Sequence, residues 1–323
     1  MFRKILVASA LIIVATASLA SAGAIKVDKS LKSYKAVGGV SGNLNSIGSD
    51  TLNNLMTMWA EGFRKKYPNV NIQIEGKGSS TAPPALIAGT AQLGPMSREM
   101  KNSEIDAFIK KYGYKPTKVA VAIDTIALFV NKDNPVKSLT MEQLDAIFSK
   151  NRKRGYPSDI TTWGQVGVTG KMAAQPISLY GRNSASGTYG FFKEHTLSKG
   201  DFKSIVKEQP GSASVVQGIT KDRNGIGYSG IGYKTSGVKI LAVSVKSGQP
   251  AYEATYENAL ANKYPLSRFL YIYIARDPKK PLPKITEEFL KFVLSKEGQE
   301  IVIKDGFLPL TEKLSAKSLT MVK

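Results

Sequence analysis
Residues 181–192 read GRNSASGTYGFF, and their types suit one kind of chemistry. Arg182 presents a planar fork of donors that matches a tetrahedral oxyanion in a way lysine does not. Ser186 and Thr188 add hydroxyls, and Gly187 between them lets the backbone approach a ligand closely. Two further segments share the design of a strand, a Gly/Ser/Thr turn and a helix: Gly48-Ser49-Asp50-Thr51 and Gly76-Lys77-Gly78-Ser79-Ser80-Thr81. A helix start exposes unpaired N–H groups at the positive end of its dipole, which favours anions. One such turn needs no ligand, because serine and threonine are ordinary N-caps. Three in one chain, one headed by an arginine, predict a small oxyanion gripped by helix N-termini and a guanidinium.

Catalysis is the rival use of the same serines. A nucleophilic Ser184 or Ser186, as in a phosphatase-like enzyme, would need a positioned base. The chain has one histidine, His195, nine residues beyond Ser186 on the helix that follows, and GRNSASG is not a G-x-S-x-G elbow. With no cysteine and a single histidine a zinc site is not expected. Glu287-Glu288 falls on an amphipathic helix rather than in a carboxylate cluster. No catalytic residue, metal or cofactor is therefore assigned.

The elements that must position these turns alternate between strand and helix. Leu52, Leu55, Met56, Trp59 and Phe63 form a helical stripe starting near Thr51 and ended by Pro68. Residues 70–74 (VNIQI) alternate as a strand, and a helix begins at Pro83-Pro84 and stops at Gly89. Residues 119–130 (VAVAIDTIALFV) read as a buried strand carrying one acid, Asp124. Thr140-x-x-Gln143 is a capping box opening a helix to Phe148. Residues 177–180 form the strand that feeds the arginine turn, and residues 190–197 continue its helix. Residues 226–233, 238–245 and 269–275 are strand-like, and 285–294 is a helix. Repeated β-then-α order predicts an α/β architecture of mixed, mostly parallel sheets flanked by helices.

At 323 residues the chain has room for two domains of ordinary size. Residues 1–22 carry Arg3-Lys4, an apolar stretch and Ala20-Ser21-Ala22, the pattern of a secretory signal peptide cleaved after Ala22. Later stretches fall short of the ~18 apolar residues of a membrane span, so no stable membrane insertion is expected. The absence of cysteine excludes a disulfide framework and a lipid-modified cysteine at the cleavage site, which fits a free periplasmic protein. A formal charge of +20 draws anions generally. Its basic runs, Lys65-Lys66, Lys110-Lys111, Arg152-Lys153-Arg154 and Lys279-Lys280, are dispersed and lack interleaved aromatics, which argues against nucleic acid.

The segments GSDTL (48–52), GKGSSTAP (76–83), GTAQLGPMSR (89–98), LTMEQLDAIF with Trp163-Gly164, and GRNSASGT (181–188) resemble, in the same order, the periplasmic phosphate-binding proteins of phosphate-specific ABC transporters, the PstS type. The resemblance spans residues 42–310. It implies a type 2 periplasmic binding protein, two α/β lobes joined by hinge strands and closing on ligand: lobe I from 23–123 and 265–323, lobe II from 124–264. Carried over by motif, the implied phosphate contacts are Thr51, Leu52 (backbone), Ser79, Arg182, Ser186, Gly187 and Thr188. Ser97 stands where many members carry an aspartate that accepts the proton of hydrogen phosphate and repels sulfate. A serine both accepts and donates, so the resemblance implies binding with a weaker proton test, and another tetrahedral oxyanion such as sulfate is the alternative ligand. Asp124 is open to two readings, a compensating acceptor or a hinge acid bonded to backbone. The implied partners are inorganic phosphate and an inner-membrane ABC permease that recognises the closed form, with the protein a monomer.

Overall fold
The computed structural model describes residues 25–322, so the expected leader at 1–22 lies outside the described residues. In chain order the strands are β1 (Gly42–Ile47), β2 (Val70–Glu75), β3 (Gly94–Met96), β4 (Thr117–Asn131), β5 (Ser138–Thr140), β6 (Ser178–Arg182), β7 (Lys207–Gln209), β8 (Gly225–Gly230), β9 (Val238–Ile240), β10 (Ala242–Ser244) and β11 (Ser267–Ile274). The α-helices are α1 (Asn53–Arg64), α2 (Ala82–Ala88), α3 (Asn102–Tyr112), α4 (Met141–Phe148), α5 (Gly187–His195), α6 (Ser212–Lys221), α7 (Tyr256–Leu260), α8 (Lys284–Val293), α9 (Lys296–Lys304) and α10 (Glu312–Thr320).

Local chemistry explains the helices that matter for the site. The stripe Leu55, Met56, Trp59 and Phe63 is fully buried along α1, and the Trp59 indole N–H donates to the Gly298 carbonyl at 2.8 Å. Helix α2 carries its prolines in the first turn, where no N–H is needed, and ends on Gly89 at φ 74°. Thr140 and Gln143 cap α4 reciprocally, at 3.0 Å and 2.9 Å.

Strand pairs β1–β2, β5–β10, β6–β7 and β6–β8 run parallel, as β-then-α order predicts. Each antiparallel pairing involves β4 or β11, the two strands that cross between the halves of the molecule. Residues 238–245 form two strands rather than the expected one. Leu241 is buried at the break with its N–H on the Leu128 carbonyl, which directs β9 to β4 and β10 to β5. The 226–233 segment likewise stops being a strand at Gly230, and Ile231–Tyr233 is a 3-10 turn.

The apolar residues separate into two main cores. One contains Leu55, Trp59, Phe63, Val121, Ile123, Leu270, Phe289 and Phe307; the other contains Ile126, Leu128, Phe148, Trp163, Phe192, Tyr228 and Leu266. Strand β4 leaves the first core after Ile123 and enters the second at Ile126, and β11 returns from Leu266 to Leu270. Between those points the paired strands carry polar residues, with Asp124 opposite Arg268 and Thr125 opposite Ser267. The junction between the cores is therefore polar in the middle of two apolar strands.

Candidate functional site
The three turns meet at that junction. The first core contributes the 3-10 turns Asp50–Leu52 and Ser79–Thr81 and, just after β3, Ser97. The second contributes Arg182 at the end of β6 and the start of α5. Thr51 Oγ1 lies 3.0 Å from Thr188 Oγ1, and the Ser80 N–H donates to the Ala185 carbonyl at 3.1 Å. The Ser97 N–H donates to Ser79 Oγ at 3.0 Å, while the Ser97 hydroxyl lies 3.0 Å from Ser49 Oγ and 3.3 Å from Ser79 Oγ.

Two glycines make this closeness possible. A Cβ on Gly187 would stand 2.3 Å from Ser79 Oγ and 2.6 Å from Ser97 Oγ. Gly78 turns at φ 116°, and a Cβ there would meet the Ala185 carbonyl oxygen at 2.6 Å. Ser186 caps α5, its hydroxyl oxygen accepting the N–H groups of Thr188 and Tyr189. Thr51, Ser79, Ser97, Arg182, Ser186, Gly187 and Thr188 are thus buried in one region. Leu52 buries its side chain in the first core, and its N–H turns back to the Ser49 carbonyl at 3.2 Å.

Arg182 is 1% exposed. Its Nη1 donates to Ser212 Oγ at 2.6 Å; its Nη2 donates to the Pro210 carbonyl at 3.0 Å and lies 3.1 Å from Asp50 Oδ2. The same Asp50 oxygen accepts the Ser212 N–H at 2.9 Å, so this carboxylate joins the two cores. Burial lowers the Arg182 pKa, and Asp50 opposes that shift. The Nε–H of Arg182 is buried and has no hydrogen-bond partner among the described residues. An orphaned charged donor costs more than the ~1–3 kcal/mol of a neutral one, and a ligand oxygen would satisfy it.

Asp124 is fully buried on β4. Its Oδ2 accepts Nε (3.0 Å) and Nη2 (2.7 Å) of Arg268, and its Oδ1 accepts the Ile231 N–H at 3.2 Å. The acid is bonded to the Ile231 backbone and also to a cation that the sequence reading passed over. Arg268 continues with Nη1 to the Ser97 carbonyl at 2.6 Å and Nη2 to Thr188 Oγ1 at 2.9 Å. Burial raises the Asp124 pKa and lowers that of Arg268, each pulled back by its partner. The available signal was a lone arginine in the strand SRFLYIYI, matching the lone acid of the strand it pairs with. Asp50, Ser49 and Ser212 were likewise unassigned, because their roles arise only when the turns meet.

The side chains around the serines do not form a hydrolytic arrangement. Ser184 is exposed, Ser186 is engaged as a cap, and His195 sits at the far end of α5, packed on the Phe191 ring at 4.2 Å. Among the described residues no cluster of three His, Cys, Asp or Glu side chains could hold a metal, and no helix is long and apolar enough to cross a membrane. The arrangement can hold an anion with hydroxyls, helix starts and paired guanidiniums.

Comparison with known proteins agrees with the fold. Residues 34–297 match the PBP superfamily domain. The phosphate-binding protein PstS of Pseudomonas aeruginosa is 57% identical over 311 residues, 96% of each chain. A Clostridium perfringens structure, described as a phosphate ABC transporter substrate-binding protein with bound phosphate, aligns at TM-score 0.70 with 30% identity, over 84% of this chain and 100% of that one. An ABC-type phosphate transport receptor of Vibrio cholerae shares the fold at TM-score 0.63 and 24% identity, over 83% of this chain and 100% of that one. By fold and by sequence, this two-lobed chain belongs to the PBP superfamily and, within it, to the PstS family of substrate-binding proteins.

Proposed function
We propose that this protein captures inorganic phosphate between its lobes and delivers it to an inner-membrane ABC permease. The observation that carries the reading is the buried Arg182, whose Nε–H has no hydrogen-bond partner among the described residues and whose Nη2 lies 3.1 Å from Asp50 in the first of the hydroxyl-bearing turns. The names of its PstS relatives and the phosphate in the Clostridium perfringens structure support the same ligand. The proposed contacts are Thr51, Leu52, Ser79, Ser97, Arg182, Ser186, Gly187 and Thr188, with Asp124 as a further acceptor through the remaining capacity of Oδ1.

The same proposal takes residues 23–123 and 265–323 as lobe I and 124–264 as lobe II, with β4 and β11 as the hinge. The polar crossing between the two cores supports that division. It takes the chain as a periplasmic monomer released by cleavage after Ala22. Closure over ligand presents the permease with a surface that the open form lacks. Calorimetric titration of anion-stripped protein tests the reading: saturable, stoichiometric phosphate uptake without hydrolysis of a phosphate ester is expected. Absence of measurable phosphate affinity would overturn it.

A further inference from the structure
We propose that Arg268 is a second guanidinium contact to the bound anion, reaching it from β11 beside Thr188. The inference rests on the proposed phosphate capture and adds a residue that lies in none of the three turns.

Placement comes first. Arg268 sits where the chain passes between two apolar cores, a position that aliphatic packing could also fill. Burying an ion pair there carries a desolvation cost of several kcal/mol per ion, often more than its own attraction recovers. A bare structural role leaves that cost unexplained.

The hydrogen bonds supply the reason. Arg268 Nη2 donates to Thr188 Oγ1, which is 3.0 Å from Thr51 Oγ1, and Nη1 holds the carbonyl of Ser97. The guanidinium thereby touches residues from both sides of the junction, and those residues belong to the shell expected around phosphate. Donor supply points the same way. Arg182 is paired with Asp50 and Arg268 with Asp124, so the second pair adds no net charge but brings a second fork of charged N–H donors beside Thr188. The two cations are near enough to act on each other, Arg182 depressing the Arg268 pKa.

Access completes the case. Arg268 lines a cleft of about 640 Å³ whose other charged residues are Arg98, Lys101, Glu99 and Glu194, and its guanidinium lies 5.4 Å from the Phe191 ring centre. The cleft is built from both lobes, and Arg268 forms the wall between it and the buried hydroxyls. An anion entering by this route meets Arg268 before Arg182.

The test is phosphate calorimetry on the full mature chain with three variants, each also melted in phosphate-free buffer. Arg268→Gln removes the charge but strands Asp124, so Arg268→Gln/Asp124→Asn, which neutralises both partners and keeps a hydrogen bond between them, guards against misfolding. The double variant is expected to melt near wild type and bind phosphate at least ~100-fold more weakly. Asp124→Asn alone keeps the guanidinium and is expected to lose at least ~10-fold less than the double variant. A folded double variant within about threefold of wild type would overturn the proposal. So would an Asp124→Asn variant that loses as much as the double, because the loss would then belong to the carboxylate. Failure of wild type itself to bind would count against the proposed function instead.

Discussion

Gly187→Ala offers a sharp perturbation of the junction, because its consequence follows from distances alone. The new Cβ would fall 2.3 Å from Ser79 Oγ, 2.6 Å from Ser97 Oγ and 2.9 Å from Ser79 Cβ, where ordinary contact begins at 3.4 Å. Rotating the hydroxyls away does not clear the Ser79 Cβ and breaks the bond from the Ser97 N–H. Relief therefore requires the start of α5 to move off the Ser79 turn by about 1 Å. Anion bonds that span this gap are then stretched beyond useful length. Losing about two charge-assisted bonds at ~1.5–3 kcal/mol each gives ~3–6 kcal/mol, or ~10²–10⁴-fold weaker phosphate binding. Both apolar cores are untouched, so the melting temperature without phosphate should stay near wild type. Calorimetry with melting curves measures both quantities. Gly38→Ala, with nothing within 4 Å of the added carbon, serves as the silent control. A folded Gly187→Ala protein that binds phosphate within about threefold of wild type would refute the packing argument.

Other substitutions separate the contributions. Arg182→Ala should cost the most of any single side-chain truncation in the turns, roughly 3–5 kcal/mol of binding and comparable to the Gly187 change, since it removes the buried charge and leaves Asp50 without its guanidinium; calorimetry reads it directly. Ser79→Ala should cost less, about 1–2 kcal/mol in the same titration, because it deletes one neutral hydroxyl. Asp305 gives a pH effect on stability. Burial pushes its pKa up to about 6, with one carboxylate oxygen lacking a hydrogen-bond partner among the described residues. A raised folded-state pKa means that its contribution is fully present below the ordinary aspartate value and lost as pH rises through about 6. Asp305→Asn should therefore be more stable than wild type at pH 8, by about 1–2 kcal/mol of unfolding free energy in denaturant titration after allowing for solvent screening, and the gap should close by about pH 4.

What the sequence disclosed depended on how local the cause was. The GRNSASGT turn was legible because an arginine, a cap serine and a glycine stand within one turn of each other and act together. The stripe of α1 and the capping box of α4 were legible for the same reason. Arg268 was not, since its partner Asp124 is 144 residues away and meaningful only once β4 and β11 pair. Helix α6 was hidden by composition. SASVVQGITK is rich in β-branched residues, and it is helical because Val215, Val216 and Ile219 pack in a cluster with Tyr180, with Gly218 closely against that ring. The split at Leu241 was hidden too, since a continuous apolar run does not show which of two sheets each end joins.

Electron density for phosphate in crystals of the mature protein grown with that anion is the most direct measurement. A single phosphate enclosed at the junction, accepting the Nε–H of Arg182 and bonded to the start of α5 at Gly187 and Thr188, is the predicted result. Phosphate found only among surface lysines, with Arg182 Nε left without a partner, would contradict the account.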